Sequence, residues 1–439
     1  MSSNIGQVDS IRNRVIPLPV PLQVVTTGLP VIGLQNGQNV STLRHIQLTP
    51  HISKNNAGMI EISRAMRLYR EDNSFTPYQF HLIHRFKIEL EIHLSNYFGV
   101  YASLMIFGST LNGFATRSCD VDMSLSFPFG PPLNGKVVVG GVVSPDLVMR
   151  EVANALVNYP NTCDEQFICA KVPIVRFRGK KVDIMADISY GNDLALYNTK
   201  LLHQYCMWDM DRLPTLGIWV KTWAKRCGVC DASKGSLSSY AWILMLIHYL
   251  QRTKPIRLLP FLQFGIFRSN FVDGWNVDFW KFVDVHRSQF IAVSTFELFV
   301  GFLDYFSNYF QYHKYIIQIN IPGEVARNRS SLRRPMVLRD PFDLDRNLAQ
   351  GVSRPMFRFI HLCMKRSYEV FKNQSLRAEF LVSKGFRKGT TDNVQMSDDL
   401  LREYAAYLLH VCVPVQQPPI RKFDGRRDRT TSSSTNTSS

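Results

Sequence analysis

From Tyr78 to Tyr97, Phe80, Ile83, Phe86, Leu90 and Leu94 recur every three or four positions, which gathers them on one stripe of an α-helix. Ser74 and Thr76-Pro77 supply its start: a hydroxyl cap, then a proline whose missing N–H goes unused in a first turn. A weaker helical pattern (Met59, Ile60, Ile62, Met66, Leu68) lies between Ser53 and Tyr69. The period then shortens. Ser103 to Phe107 and Asp120 to Phe127 read as strands, and Pro128 to Ser144 as a Pro/Gly-rich connection. Pro145 to Val157 reads as a helix opened by Ser144-Pro145. Two more strands, Gln166 to Phe177 and Lys181 to Ser189, flank a Gly179-Lys180 turn. This predicts a small mixed sheet carrying helices.

After Asn192 the pattern is mostly helical: Leu194 to Tyr205, Leu213 to Cys227, Leu237 to Gln251, Ser294 to Tyr312, Pro355 to Phe371 and Asp398 to Cys412. A strand-like Pro335 to Leu338 interrupts it and ends in Asp340-Pro341-Phe342-Asp343. Met1 to about Leu48, rich in Pro, Gly, Asn and Ser, reads as an extended arm. From Gln416 a basic, then Ser/Thr-rich stretch reads as disordered tail. The divisions expected are 1–73 (arm and extension), 74–193 (sheet domain), 194–415 (helical domain) and 416–439 (tail).

Charge narrows the partners. The 439 residues carry 51 Lys+Arg against 35 Asp+Glu, a net +16, which favours a polyanionic partner. Nucleic acid is expected over membrane: the reading finds no basic amphipathic helix, no lipidation motif, no signal-peptide core and no apolar run long enough to span a bilayer. The 8 cysteines are dispersed and read as reduced thiols; Cys227-Gly228-Val229-Cys230 lacks the second pair a zinc site needs. The 11 histidines show no zinc-type pairing.

The chemistry concentrates after the first strand. Gly108-Ser109 breaks it, offering N–H groups and a hydroxyl to phosphate oxygens. Asp120 and Asp122 lie two apart, so both project from one strand face, where two carboxylates repel unless a cation sits between them. Asp183 and Asp187, four apart on a later strand, each offer the third acid that two-metal phosphoryl transfer requires.

Four motifs then resemble the terminal uridylyltransferase and noncanonical poly(A) polymerase family over roughly Phe75 to Phe371. They are Phe107-Gly-Ser-Thr with Asp120-Val-Asp122, and Lys171-Val-Pro-Ile-Val-Arg-Phe with Asp187-Ile-Ser through Asn198-Thr199. The others are Val220-Lys221-Thr-Trp-Ala-Lys225-Arg226 with Gly235 to Tyr240, and Asp340-Pro-Phe-Asp-Leu-Asp-Arg346-Asn-Leu. Ala224 to Tyr240 looks like the large animal cytoplasmic uridylyltransferases; their CCHC zinc knuckles have no counterpart in spacing here, so an isolated catalytic core or a short relative is expected.

The resemblance implies a polymerase β-like α/β (α+β) fold: a mixed-sheet nucleotidyltransferase domain plus a mostly helical poly(A)-polymerase-associated domain. It implies UMP addition from UTP to RNA 3′ ends, with Mg²⁺ or Mn²⁺ on Asp120, Asp122 and Asp187, in a cytoplasmic monomer. Its register selects Asp187 as third acid, with Asp183 the runner-up. By the same resemblance Asn198 and Thr199 hold the ribose; Lys221, Lys225 and Ser239 meet the triphosphate; and Tyr240 stacks on the base. Asp340 supplies an acceptor to the base, and Arg346 stands where such uridylyltransferases usually place a His. Arg346 suits uracil O4 or adenine N1, so ATP use by a poly(A) polymerase stays open, as does an inactive RNA-binding scaffold. Read from the residues alone, Lys221 and Lys225 also fit a solvated helix face, Tyr240, Trp219 and Trp223 also fit core, and Arg64, Arg67, Arg70, Arg85 and Lys87 fit an RNA track or a plain surface.

Overall fold

The computed structural model describes residues 56–133, 136–137, 143–253, 257–266, 269–281, 293–373, 375–414 and 418–419. The expected N-terminal arm and nearly all of the expected basic tail lie outside the described residues.

Helices α1 (Asn56–Asn73) and α2 (Pro77–Phe98) open the described chain. Thr76 and Gln79 cap α2 reciprocally, each side chain accepting the other's backbone N–H (3.0–3.1 Å). Ile83, Phe86, Leu90 and Leu94 are buried along the expected stripe. Strand β1 (Ser103–Phe107) leads into a single turn, α3 (Ser109–Asn112), then β2 (Val121–Ser126), the small hairpin β3 (Pro132–Leu133) and β4 (Lys136–Val137), and α4 (Pro145–Val157). Strands β5 (Thr162–Ile168), β6 (Ile174–Gly179) and β7 (Ile184–Tyr190) complete the sheet.

Its order is β1-β2-β7-β6-β5, with β2 and β7 parallel and every other pair antiparallel. Val121, Met123 and Leu125 of β2 and Ala186 and Ile188 of β7 enter one core with α2 and α4. Period-two alternation therefore turns Asp122 and Asp187 to the opposite face.

Two expectations change here. The single strand Gln166 to Phe177 is two antiparallel strands around a turn at 169–173. Val182-Asp183 is the turn before β7 rather than its start: Asp183 sits at φ 47°, a region Asp tolerates better than most residues, and its exposed carboxylate pairs with Arg178 at 3.1 Å. The alternation of 182–187 reads as strand, but the β6–β7 pairing begins only at Ile184, so Asp183 stays in the turn; Asp164, also at positive φ, is carried within β5 as a bulge.

The remainder is helical: α5 (Asp193–Trp208), α6 (Arg212–Arg226) and α7 (Ser239–Leu250), the hairpin β8 (Phe271–Val272) and β9 (Trp275–Asn276), then α8 (Thr295–Asp304), which runs on into a π-turn at Tyr305–Tyr309. A hairpin of β10 (Tyr315–Ile316) and β11 (Val325–Ala326) and helices α9 (Arg354–Lys372), α10 (Leu376–Ser383) and α11 (Asp398–Val411) follow. The strand expected at Pro335 to Leu338 reduces to a bridge between Leu338 and Ile317. Residues 56–73, grouped with the arm on sequence, form α1 and pack into the helical core against α6, α8 and α11. Trp219 and Trp223 are fully buried there.

His248 of α7 is buried in that core, Nδ1 2.7 Å from the Gln318 carbonyl and Nε2 3.1 Å from the Tyr305 hydroxyl. Burial, then the charge of Arg252, holds its pKa well below the ordinary 6.5. The native state keeps it neutral while the unfolded chain protonates it, so its contribution is intact above pH 6.5 and is lost as pH falls through that value. Urea unfolding at pH 7.5 and 5.5 tests this: the wild type should lose about 1 kcal/mol more than His248→Gln over that step. Parallel losses would assign the acid sensitivity elsewhere.

Candidate active site

The sheet face opposite the palm core looks into a cleft of about 890 Å³, walled on its far side by α6, α7 and the 340–348 loop. It collects Gly108, Ser109, Asp120, Asp122, Asp187, Asn198, Thr199, Lys221, Lys225, Ser239, Tyr240, Asp340 and Arg346, every site residue expected from sequence. Asp183 is not among its lining residues.

Register builds the acid cluster. Asp122 lies opposite Asp187 across the parallel β2–β7 pair and opposite Phe107 across β1–β2, so both carboxylates sit just below the Gly108 turn. Gly108 has φ 72°, and a Cβ there would stand 2.4 Å from Asp122 Oδ2; only glycine lets the turn close over the acid. Burial, then the charges of Asp187 and Asp120, raise the Asp122 pKa to about 7. Asp120 is half exposed and shifts upward for the same reasons, burial first.

Arg176 answers this charge by direct contact, while Lys221 and Lys225 act on it from the helical wall. Arg176 on β6 pairs with Asp187 across the β6–β7 ladder and binds it bidentately, Nε to Oδ1 at 2.8 Å and Nη2 to Oδ2 at 2.7 Å. Its Nη2 also lies 3.6 Å from Asp120 Oδ2. Arg176 was present in the quoted motif, but only the strand register reveals that it faces the acids. Both Asp187 oxygens are thus engaged, and among the described residues no three acid, histidine or cysteine side chains converge closely enough to hold one ion. The donors nevertheless suit a hard divalent cation: mutually repelling carboxylates on one strand pair, one of them raised to about 7 by burial and then by its neighbours' charge. Ligation by all three acids requires Arg176 to release Asp187.

The far wall is positioned by close packing. Gly217 lies mid-helix in α6, and a Cβ there would meet the Phe114 ring at 2.3 Å. The ring packs against bare helix backbone, and one turn later Lys221 Nζ donates to the Phe114 carbonyl at 2.7 Å. Burial lowers the Lys221 pKa to about 8. Lys225, one further turn along, is exposed at the cleft. Ser239 Oγ lies 3.2 Å from Cys230 Sγ.

Thr199 is placed differently from the role the resemblance implies. Its hydroxyl accepts the Gly108 N–H (2.8 Å) and donates to Ala195 O (2.7 Å), so it is committed to holding the glycine turn. Asn198 Oδ1 is buried, lines the cleft and has no protein partner. At the other end, Asp340 Oδ1 accepts the N–H groups of Phe342 (3.0 Å) and Asp343 (3.2 Å), which fixes the carboxyl; the carboxyl is buried beside the Tyr240 hydroxyl. Burial, then the Asp340 charge, pushes the Tyr240 phenol well above its usual range. Arg346 is exposed at the same end and lines the opening with donor groups only. Trp275 and Asp273 of the β8–β9 hairpin also line the cleft, a contribution the sequence did not signal.

Residues 62–207 match the family described as poly(A) RNA polymerase, mitochondrial-like, central palm domain, and residues 296–346 match the Cid1 family poly A polymerase. Human terminal uridylyltransferase 4 is 34% identical over 288 residues, 62% of this chain but only 17% of that protein's length. The Caenorhabditis elegans poly(A) RNA polymerase gld-2 is 33% identical over 243 residues, 53% of this chain and 21% of its own length. The Cid1 poly(U) polymerase with Mg and 3′-dATP bound superposes at a TM-score of 0.61 and 23% identity, over 72% of this chain and 95% of that one. The fold is the polymerase β-like mixed sheet with a helical poly(A)-polymerase-associated domain.

Two variants test the site's construction by thermal melting. Gly108→Ala should lose about 1–3 kcal/mol, because the methyl collides with Asp122 at an unfavourable φ; an unchanged melting temperature would mean the turn relaxes freely. Arg176→Gln should lower the melting temperature in EDTA by leaving three carboxylates uncompensated, at a cost of about 1–3 kcal/mol. It should also enlarge the stabilisation produced by Mg²⁺, since the ion no longer competes with the guanidinium. Equal Mg²⁺ responses in both proteins would show that Arg176 does not compete with ligation.

Proposed function

We propose that this chain, which belongs to the terminal uridylyltransferase and noncanonical poly(A) polymerase family, adds UMP from UTP to RNA 3′ ends without a template. The observation that carries the choice of base is the opposed pair at the cleft's far end. Uracil presents O4 as acceptor and N3–H as donor; Arg346 offers only donors, and the fixed Asp340 carboxyl, next to the Tyr240 hydroxyl, offers an acceptor. Tyr240, beside them, gives the base a face to stack on.

The reaction joins the RNA 3′-oxygen to the α-phosphorus of UTP and breaks the α–β bridging bond; pyrophosphate leaves with the bond electrons. Asp120, Asp122 and Asp187 would hold Mg²⁺ or Mn²⁺, which lowers the pKa of the 3′-hydroxyl and offsets charge on the phosphate when bound. A carboxylate of the trio receives the hydroxyl proton. Lys225 meets the triphosphate as a point charge, and Ser109 and Ser239 offer hydroxyls along it. Lys221, tied to Phe114, holds its charge beneath that path. Asn198 Oδ1 accepts from a ribose hydroxyl, and Thr199 acts through the turn it fixes. Arg176 holds Asp187 oriented through a bidentate pair.

A second reading, AMP transfer from ATP, rests on the same Arg346, whose donors also reach adenine N1. Competition among the four nucleoside triphosphates on one labelled RNA primer separates the two. UMP incorporation is expected to dominate; Arg346→Ala should erode the preference by about 1–3 kcal/mol, roughly 5- to 150-fold, and Arg346→His should largely keep it. Preferential AMP incorporation by the unmodified protein would sink the uridylyl reading. In the same assay Asp122→Ala and Asp187→Ala should fall to background while Asp183→Ala, altered only in an exposed turn, stays near wild type. No extension by any nucleotide would leave an RNA-binding scaffold.

A further inference from the structure

Of the cations that the sequence left as either an RNA track or a plain surface, Arg67 is exposed, while four are tied to neighbours. Arg64 pairs with Asp398 at 2.6 Å, Arg85 with Glu89 at 3.3 Å and Lys87 with Glu91 at 2.6 Å, while Arg70 donates to Asp211 O and Thr215 Oγ1 at 3.1 Å each. These groups stitch the scaffold.

Helix α9 is different. Along Arg354–Lys372 it carries Arg354, Arg358, Lys365 and Arg366 against one acid, Glu369, which lies on the same face near its C-terminal end and pairs with Lys372 at 3.6 Å. All four are exposed, and at 100° per residue the first three fall within about 40° of one another, a line along the outer face. The loop before the helix continues the line: Arg333 and Arg334 are exposed, and Arg334 Nη1 donates to Gln350 O at 3.3 Å, which fastens the loop to the start of α9. Among the described residues none of these six cations forms an ion pair, whereas the cations of α1, α2 and α11 named here mostly do. An ordinary solvated helix face mixes signs, as α11 does with Asp399, Arg402 and Glu403. So α9 is a basic amphipathic helix that the sequence reading did not detect.

The occupant follows from the other side of the helix. A helix that binds a membrane surface needs a free apolar face to bury in lipid. Met356, Phe359, Ile360, Cys363, Met364 and Phe371 of α9 are instead buried in the helical core. What remains outside is mostly positive charge, with Leu362 the one exposed large aliphatic side chain, too little apolar area to bury in lipid and suited to a flexible polyanion. The strip also begins close to the cleft: Leu348 N donates to Leu338 O at 2.8 Å, closing the loop that carries Asp340 and Arg346, and Arg354 follows six residues later. We infer that the Arg333–Arg334 loop and the outer face of α9 form a phosphate track for single-stranded RNA upstream of the 3′ end. The inference rests on the reading that RNA is the substrate, and extends it to a second contact surface outside the cleft.

The test uses fluorescence anisotropy with 5′-labelled RNAs of 4 and 15 nucleotides, across 50 to 250 mM salt. The proteins are the full chain and Arg354→Gln/Arg358→Gln/Lys365→Gln/Arg366→Gln, with unchanged melting confirming the fold. For the 15-mer, affinity at low salt should fall at least about tenfold. The log–log salt slope should become shallower by up to about 3, at roughly 0.7 per phosphate on a single strand. Binding of the 4-mer, and nucleotide addition to it, should stay within about twofold. Arg387→Gln/Lys388→Gln, a charge change at the end of α10, should leave both RNAs unaffected. Equal losses for the 4-mer and 15-mer would overturn the track in favour of a general field effect, and so would no loss for the 15-mer. Unchanged RNA binding with lost affinity for phosphatidylserine vesicles would reassign the strip to a membrane. If no nucleotide is ever added but the 15-mer still depends on the four cations, the track stands and the catalytic reading fails.

Discussion

Three carboxylates share one cleft because two parallel strands stand in register, and the surrounding architecture answers the repulsion this creates. Burying Asp122 and opposing it to Asp187 across β2–β7 both raise the energy of the charged state; the Asp122 shift to about 7 expresses burial first and the neighbouring charges after it. The protein tolerates the arrangement by laying Arg176 from the neighbouring strand across Asp187 and toward Asp120, with Lys221 approaching from the helical side. The sheet's apolar face and its two packed helices hold the backbone still while its polar face stores this charge. Arg176 is a counter-ion of the right sign at one fixed place, and the site is organised before any cation or phosphate arrives.

The helical half contributes close contact. Gly217 admits the Phe114 ring against bare helix, which brings the Phe114 carbonyl within reach of Lys221; Thr199 of α5 grips the Gly108 amide. The loop between α3 and β2 and the turn above the acids are therefore both anchored from helices of the other half. Small residues and committed hydroxyls fix the distance across the cleft.

Much of this was legible in the chain. The stripe of α2, the bounds of β1 and α4, and the acids 120 and 122 each follow from a local period or a local turn residue. The resemblance gathered distant motifs that no local rule connects, and the cleft collects the same residues. What stayed hidden depends on pairing. Asp183 and Asp187 look equivalent by spacing, and only the strand pairing, which begins at Ile184, leaves Asp183 in the turn. Arg176 lies in plain view in a recognised motif, but its partner is set by antiparallel register. Thr199 seemed free for a ligand because sequence cannot show that a backbone amide 91 positions away already uses its oxygen. The outer face of α9 escaped notice because its charge pattern matters only once the opposite face is known to be buried.

Helix α1 packs directly against α11, and ion pairs Arg64–Asp398 and Arg402–Asp72 join the same two ends. The whole sheet domain lies between them in sequence. During synthesis, then, α1 emerges with Met59, Ile62 and Met66 lacking their final partner until more than three hundred further residues have been made. The sheet domain holds all its strands by Tyr190 and can close early, whereas the helical domain is completed only by its last helix. A nascent chain without α11 would therefore carry a sheet domain that already holds all its strands beside an apolar seam left open on α1.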